Sequence, residues 1–319
     1  MPDPKLRLGF ADHDLNTAII DGTVKVDGFD LDVTHSTNDG EIHALLREGK
    51  IDACEYSFGG YMGDRSRGVP YIAIPAFPNR KFRLSYIFVN SAAGIDGPKD
   101  LEGKRVGILL WSNTAGIWAR GALQHHYGVD LTRIKWLSRQ APPSALPAGI
   151  SVEKLPDGSS MDEMLVSGKL DAVIQADVMA SITRKDPRVR RLFPDYKSEE
   201  QSYFRATGIF PISHVVTFPQ SFVDQHPDAP VAVLKAFRQS RDEAFHRIEE
   251  QEVLSISWAS ALLDEQRALM GPNYWAYNVE DNIRPLEAMM DFAHEQGVTP
   301  ERLHVDDLFV PEAAALPGF

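Results

Sequence analysis

The sequence GKIDACEYS spans residues 49–57, and most of its pattern recurs as GKLDAVIQAD at residues 168–177. Each copy follows a short amphipathic segment, at residues 41–48 in the first case and 161–167 in the second. In each copy the glycine can adopt the positive φ that ends a helix, and a short strand then presents polar residues at its carboxyl end. The repeat predicts two equivalent α/β units. The alternative is two unrelated helix-to-strand junctions that share a short motif by chance.

Polar side chains close both copies of the repeat. In open α/β sheets, ligands bind at the carboxyl ends of the strands. We therefore expect Glu55, Ser57, Gln175 and Asp177 to lie near a shared ligand cleft. Cys54 lies between Ala and Glu in the first predicted strand, and it is interpreted as a small buried side chain rather than a nucleophile.

The order of predicted elements gives a fold class and a division into lobes. Lobe one is expected to comprise residues 1–90 and 214–319, and lobe two residues 91–213, with two crossings between the lobes and a largely helical C-terminal part. Two crossings act as a hinge, so the cleft can close on a small ligand. The prediction is an α/β protein with two lobes.

Several local predictions can be compared with the structure. Apolar runs predict strands, a segment rich in proline and glycine predicts a surface loop or an extended insertion, and the C-terminal third predicts helices. The predicted strands are residues 24–26, 29–33, 82–90 and 209–218, the loop is residues 140–158, and the C-terminal helices are residues 231–252, 253–263, 281–295 and 300–309.

Composition restricts the classes of function. The 319 residues carry 45 acidic and 33 basic side chains, a formal net charge of -12, which repels nucleic acids and anionic membranes. A single cysteine permits neither an internal disulfide nor a thiolate metal site. The N-terminal residues show no signal-peptide pattern and no segment reaches the length of a membrane span, so we expect a cytoplasmic protein. The helical C-terminal part is compatible with a homo-oligomer.

Three arginines are candidates for binding a carboxylate. Arg80 and Arg83 flank a phenylalanine before the predicted first crossing, and Arg120 lies in the helix that begins near Thr114. The planar guanidinium group suits a carboxylate, and the N-terminal turn of that helix adds N–H donors for an anion. The alternative for each arginine is an ion pair with one of the many acidic side chains.

Two histidines are candidates for acid–base chemistry. His13 follows the first predicted strand, and His214 lies in the strand predicted near the second crossing; an imidazole there can act as an acid or a base near pH 7. The alternative for His214 is a hydrogen-bonded core histidine. His13, Glu55, Asp177 and His214 could converge on a metal ion, but no pair of them has the spacing of a metal motif, so no metal site is predicted.

Five segments carry a resemblance that covers most of the chain. They are CEYS at residues 54–57, IPAFPNRKFR at 74–83, PKDLEGKRVG at 98–107, TAGIWARG at 114–121 and GIFPISH at 208–214. The chain resembles the 4,5-dihydroxyphthalate decarboxylase family, whose fold is similar to type II periplasmic binding proteins. The chain departs from that family at Leu84, at residues 138–139 and in the region after Asp171 that contains Asp177, which leaves the exact substrate open.

The resemblance implies non-oxidative loss of CO2 from a hydroxylated aromatic acid, without an organic cofactor. His214 or His13 would protonate the ring carbon that bears the carboxylate, and Glu55 or Asp177 would polarise the phenol. The three candidate arginines would hold carboxylates, and Ser57, Thr114 and Trp118 would complete the substrate site. The alternative is a solute-binding protein for an aromatic or other small carboxylate, since a fold alone does not decide function.

Overall fold

The fold is described from a computed structural model that covers residues 3–142, 145–250 and 254–318. The chain divides into two compact units. The first comprises residues 1–80, 212–286 and 304–319, and the second comprises residues 81–211 and 287–303. The junction between the predicted helices 231–252 and 253–263 lies outside the described residues.

Each unit is built on one β-sheet. The strands are β1 Lys5–Ala11, β2 Asp30–Ser36, β3 Ala53–Ser57, β4 Tyr71–Ile74, β5 Ile87–Asn90, β6 Arg105–Ile108, β7 Lys135–Ser138, β8 Val152–Lys154, β9 Ala172–Ile174, β10 Val189–Arg191 and β11 His214–Pro219. The α-helices are α1 Thr17–Ile20, α2 Asp39–Arg47, α3 Phe58–Ser66, α4 Thr114–His125, α5 Met161–Val166, α6 Ala180–Thr183, α7 Tyr196–Thr207, α8 Gln220–Gln225, α9 Ala229–Glu250, α10 Ala259–Met270, α11 Ile283–Glu295 and α12 Pro311–Ala314.

The sheet of the first unit has the strand order β2-β1-β3-β11-β4. β1 pairs in parallel with both β2 and β3, whereas β11 runs antiparallel to β3 and β4. Gly9 of β1 packs closely against Ile51, which lies just before β3. A Cβ atom at Gly9 would come within 2.7 Å of the Ile51 side chain, so the position requires glycine. The close approach seats β1 beside β3, and the carboxyl ends of these two strands meet at one edge of the sheet.

The repeated motif forms the same structure twice. Gly49 and Gly168 both have positive φ, at 69° and 73°, and each ends a helix before a strand. The aspartate of each copy then binds the arginine of the neighbouring parallel strand: Asp52 accepts from the backbone N–H and guanidinium of Arg7, and Asp171 does the same with Arg105. The prediction of two equivalent helix-to-strand units is confirmed.

The sheet of the second unit has the order β10-β5-β9-β6-β7-β8. Residues 287–303 belong to this unit, whereas the predicted division placed them in lobe one. Gly121 of α4 explains the difference. A Cβ there would come within 2.1 Å of the Phe292 ring, so the bare glycine lets α11 pack directly onto α4.

Three local predictions differ from the structure. Residues 24–26 form no strand, although Val24 and Val26 are buried; their backbone takes no part in the pairing of β1 with β2. In the predicted strand 209–218, β11 begins at His214, and before it Ile212 forms an isolated bridge with Arg80. Residues 300–309 form no α-helix; they contain a 3-10 turn at Val305–Asp307 and a bridge from Phe309 to Ala73. The segment 140–158 contains the short strand β8, which pairs with β7 and agrees with an extended insertion.

The predicted strand at 82–90 is confirmed only at β5, because Leu84–Tyr86 form a 3-10 turn. The interpretation of the single cysteine agrees with the structure. Cys54 is fully buried, and burial raises the pKa of its thiol well above the ordinary value. In the described part of the chain, none of the helices has the length and apolar character that a membrane span requires.

Candidate active site

Strand register brings two predicted catalytic residues together. β11 pairs with β3 so that His214 lies opposite Ser57 and Val216 lies opposite Glu55. Residues two apart on a strand share a face, so Glu55 and His214 are diagonal neighbours on one face of the sheet. β1 ends at Ala11 beside β3, and His13 follows at the same edge.

Glu55 is the centre of the resulting cluster, which we call the His–Glu–His cluster and define as His13, Glu55 and His214. The Glu55 carboxylate lies 2.5 Å from His214 Nδ1 and 3.3 Å from His13 Nε2, both measured to Oε1. Its other oxygen, Oε2, accepts hydrogen bonds from the Ala11 backbone N–H at 3.0 Å and from the Asn16 amide at 3.4 Å. Only 2% of the residue is exposed, so the protein supplies its hydrogen bonds in place of water.

The charge of Glu55 is stabilised by these contacts. Burial by itself raises the pKa of a carboxyl group, because the ionised form loses its hydration. Hydrogen bonds from His13 and His214, together with their positive charge when protonated, outweigh burial and hold the pKa of Glu55 well below its ordinary range. Glu55 is therefore an anion that orients both imidazoles.

Asn79 connects the cluster to the chain before β11. Its side-chain Nδ2 lies 3.1 Å from His13 Nε2, and its backbone carbonyl accepts from the N–H groups of Ser213 and His214. Asn79 Oδ1 and Asn16 Oδ1 are buried without a hydrogen-bond partner among the described residues. Such atoms are rare in folded proteins, and they mark a place where a further polar group binds.

A third histidine, His43 of α2, lies next to the cluster. Its Nε2 accepts the Ser57 backbone N–H at 3.3 Å, and its ring contacts the Tyr56 ring at a centroid distance of 4.4 Å. Its ring centroid is 6.3 Å from that of His214. Burial, followed by the nearby positive charge of His214, lowers the pKa of His43 to about 4, so this imidazole is neutral at pH 7.

Arg80 is buried in the first unit with protein partners. Its Nη1 donates to Asn282 Oδ1 at 2.7 Å and to the Tyr274 carbonyl at 3.3 Å. Burial lowers the pKa of this guanidinium to about 9.

Ser57 lies at the end of β3, immediately before α3. The first backbone N–H of α3, that of Phe58, donates to the Ser213 carbonyl at 2.9 Å.

In the second unit, Arg83 lies near Asp177. Arg83 Nη1 donates to the Ala176 carbonyl at 3.2 Å, and its guanidinium lies 5.5 Å from the centre of the Tyr86 ring. Burial lowers the pKa of Arg83 to about 10, although Tyr86 and the carboxylates of Asp177 and Glu200 oppose the shift. Asp177 itself is exposed, three residues beyond the end of β9.

The remaining predicted residues lie on α4. Thr114 begins the helix and is buried, while the preceding Asn113 caps the first turn. Trp118 is buried and contacts the Phe292 ring at a centroid distance of 5.7 Å. Arg120 is fully buried: it donates to Gln296 Oε1 at 2.8 Å and to the Trp111 carbonyl at 2.6 Å. These contacts give Trp118 and Arg120 a packing role inside the second unit, and their role in binding a substrate stays a prediction.

Sequence reasoning missed three residues of this site. His43 lies on a predicted amphipathic helix and was not selected, although that helix leads directly into the repeated motif. Asn16 lies in the polar loop after β1, and Asn79 lies inside the FPNR segment that carries the family resemblance. Asn16 lies three residues after His13 and Asn79 directly precedes Arg80, and this proximity to candidate residues is the signal by which the sequence could have identified them.

Comparison with solved structures defines the class of protein. The NMT1/THI5 like family profile matches residues 18–145. The periplasmic aliphatic sulphonate binding protein SsuA from Escherichia coli has a TM-score of 0.58 at 14% identity, with 96% of this chain and 97% of that chain covered. The desulfurization enzyme DSZB has a TM-score of 0.53 at 16% identity, with 97% and 98% covered. The protein thus has the periplasmic-binding-protein fold, which serves both a binding protein and an enzyme.

Sequence comparison identifies the family within that class. A 4,5-dihydroxyphthalate decarboxylase from Comamonas testosteroni is 31% identical, and the alignment covers 99% of both chains. The chain belongs to the 4,5-dihydroxyphthalate decarboxylase family. The resemblance predicted from the five sequence segments is confirmed.

Proposed function

We propose that this protein is a non-oxidative decarboxylase of a hydroxylated aromatic dicarboxylate such as 4,5-dihydroxyphthalate, and that it needs no organic cofactor. The observation that supports this best is the His–Glu–His cluster, in which a buried carboxylate anion orients two imidazoles. A protein that only binds a carboxylate needs no oriented proton donor. Membership of the decarboxylase family supports the same conclusion.

The reaction replaces a carboxylate on the ring with a proton. The ring carbon that bears the carboxylate accepts a proton, the bond between this carbon and the carboxylate breaks, and the electron pair of that bond restores the aromatic ring as CO2 leaves. A hydroxyl group para to the carbon releases electron density and lowers the barrier. The ring is its own electron sink, so the protein has to supply a proton, a hydrogen-bond acceptor for the hydroxyl group, and cations for the carboxylates.

We assign the proton to His214. Its Nδ1 faces Glu55 at 2.5 Å, so the carboxylate holds the ring in one orientation through a hydrogen bond at this nitrogen. The opposite nitrogen, Nε2, then carries the hydrogen that is transferred. His13 faces the same carboxylate through Nε2 and is the second candidate donor. Both histidines thus face the single negative charge of Glu55. After CO2 leaves, a proton from solvent replaces the one that the histidine donated to the substrate.

Glu55 acts through the histidines rather than on the substrate. Both of its oxygens already lie within hydrogen-bond distance of protein donors, and the residue is 2% exposed. We therefore treat Glu55 as a positioning residue, which narrows the role expected from the sequence. Polarisation of the phenol is assigned to Asp177, whose carboxylate is exposed.

The carboxylates of the substrate require cationic groups. We propose Arg83 as the principal one, because the neighbouring Asp177 supplies an acceptor for the hydroxyl group of the same ligand. Arg80, Arg120, Ser57, Thr114 and Trp118 complete the proposed substrate residues. If Arg83 binds a substrate carboxylate, Arg83→Lys should raise KM at least tenfold, because the point charge of an ammonium group replaces the planar, two-pronged guanidinium group.

The decisive experiment measures CO2 and the aromatic product from 4,5-dihydroxyphthalate with the full chain. We expect turnover, and a loss of about 10²–10⁴-fold in kcat for His214→Asn with binding retained, since this is the usual contribution of a general acid. His246→Asn, an exposed residue on α9, serves as the matched control. Tight binding of hydroxylated aromatic acids without CO2 release would refute the proposal and favour a solute-binding protein.

A further inference from the structure

The donor atoms of the His–Glu–His cluster are close enough to share one ion. The facing atoms of His13, Glu55 and His214 all lie within 4.8 Å of one another. Two imidazole nitrogens and one carboxylate oxygen form a ligand set typical of zinc and of non-haem iron sites. No pair of these residues has the spacing of a metal-binding motif, because the three come from separate segments of the chain that only the sheet register assembles.

A second observation points to a ligand at the same place. Asn79 is 8% exposed and Asn16 fully buried, yet the Oδ1 atom of each has no hydrogen-bond partner among the described residues. The amide of Asn79 lies 3.1 Å from His13 Nε2, and the amide of Asn16 lies 3.4 Å from Glu55. The amide nitrogens are the atoms that face the cluster, and a flip of the Asn79 amide would place its oxygen beside His13 Nε2. Amide oxygens are ligands for cations but not for anions, because they carry lone pairs and no proton.

We propose that His13, Glu55 and His214 form a binding site for a divalent transition-metal ion, with Asn79 Oδ1 as a further ligand, and that the bound ion inhibits the protein. The inhibitory part rests on the proposed function. Nitrogen-rich ligands select ions of the Zn²⁺ class over Mg²⁺ and Ca²⁺, which prefer oxygen.

The geometry needs both histidine hydrogen bonds to Glu55 to open. His13 Nε2 and Glu55 Oε1 are 3.3 Å apart, a separation that two ligands of one ion can keep when each metal bond is about 2.1 Å. The hydrogen in the 2.5 Å contact between His214 Nδ1 and Glu55 has to leave this nitrogen before it can bind a metal, and the same holds for a hydrogen on His13 Nε2. Metal and hydrogen therefore compete for the same nitrogen atoms.

Inhibition follows from the same competition. An imidazole whose Nδ1 binds a metal ion can no longer become an imidazolium, and its Nε2–H is a far weaker acid than that of an imidazolium. The bound ion also occupies Glu55 Oε1 and replaces the 2.5 Å contact through which this carboxylate orients His214. An ion in the cluster therefore removes the proton that the reaction requires.

Calorimetric titration of the EDTA-treated, desalted full chain with ZnCl₂ tests the site. We expect one ion per chain and no binding of Mg²⁺ at the same concentration. His13→Ala and His214→Ala should each weaken the binding at least tenfold. His35→Ala is the control, because His35 also lies 2.5 Å from a carboxylate, that of Asp12, but in an exposed pair to which the described residues add no third ligand.

Asn79→Asp keeps the test informative if an alanine variant fails to fold, since a carboxylate at this position should tighten Zn²⁺ binding several-fold. Absence of stoichiometric binding, or equal binding by the wild type and both histidine variants, would overturn the site. In either case decarboxylation by the metal-free protein would still stand. Turnover that requires the added ion would instead overturn both the inhibitory role and the proposed acid, while the site itself would be retained.

Discussion

Replacing His43 with glutamine should change how the stability of the protein depends on pH. His43 is neutral in the folded protein because burial lowers its pKa from 6.5 to about 4. The groups that face it act in both directions: His214 and Arg47 disfavour a further positive charge, whereas Glu55 favours one. The unfolded chain therefore binds the proton more readily than the folded chain between pH 6.5 and 4, and stability falls as the pH is lowered through that range.

The size of the effect follows from the shift. One pH unit corresponds to about 1.4 kcal/mol for a single group, so the wild type should lose ~2 kcal/mol between pH 7 and pH 5 and ~3 kcal/mol by pH 4 because of His43. Glutamine cannot be protonated, but its side-chain oxygen can still accept the Ser57 N–H. The variant should be about 1 kcal/mol less stable at pH 7, because it loses the ring contact with Tyr56.

The assay is urea unfolding followed by far-ultraviolet circular dichroism, at pH 7 and pH 5, for the wild type and His43→Gln. The difference between the two proteins isolates His43 from other groups that titrate in the same range. His294→Gln, an exposed residue at the end of α11, should reproduce the wild-type values. If His43→Gln loses as much stability as the wild type between pH 7 and pH 5, then burial does not keep the His43 imidazole neutral in the folded protein.

Three further predictions follow from other contacts. Glu55→Gln should reduce kcat about 10²-fold with KM changed less than threefold, because a charge-assisted hydrogen bond contributes up to ~3 kcal/mol; an unchanged kcat in the CO2 assay would contradict its positioning role. Gly121→Ala should lower the free energy of unfolding by ~3 kcal/mol, since the added methyl group overlaps the Phe292 ring; a loss below ~0.5 kcal/mol in urea titration would show that α11 adjusts freely. Asp171→Asn should cost ~1 kcal/mol in thermal unfolding at low salt and less at high salt, because its ion pair with an arginine is partly exposed; an effect independent of salt would exclude an ionic origin.

The repeated motif was the most informative part of the sequence. Gly-Lys-x-Asp-Ala predicted two helix-to-strand junctions, and the structure shows why the motif contains these residues: glycine takes the positive φ, and aspartate binds an arginine on the next strand. The glycine conformation is local, whereas the two aspartates bind arginines 45 and 66 residues away. The helix-to-strand junctions were predictable because the glycine that ends each helix is part of the motif itself.

The predictions that failed depended on tertiary partners that a local pattern does not show. Residues 24–26 have the composition of a strand, but none of the described strands pairs with them. The segment 287–303 belongs to the second unit because Phe292 packs against Gly121, a contact that composition does not indicate.

The sequence by itself determined the fold class, the family and the individual residues His13, Glu55 and His214, because these are encoded in short patterns and in residue chemistry. Only the tertiary structure decided that the three side chains meet around one buried negative charge, and that His43, Asn16 and Asn79 surround them. Their separation along the chain is large, from 13 to 214, and the alignment of β3 between β1 and β11 brings them together. Strand register is a property of the whole sheet, and no local segment of the sequence contains it.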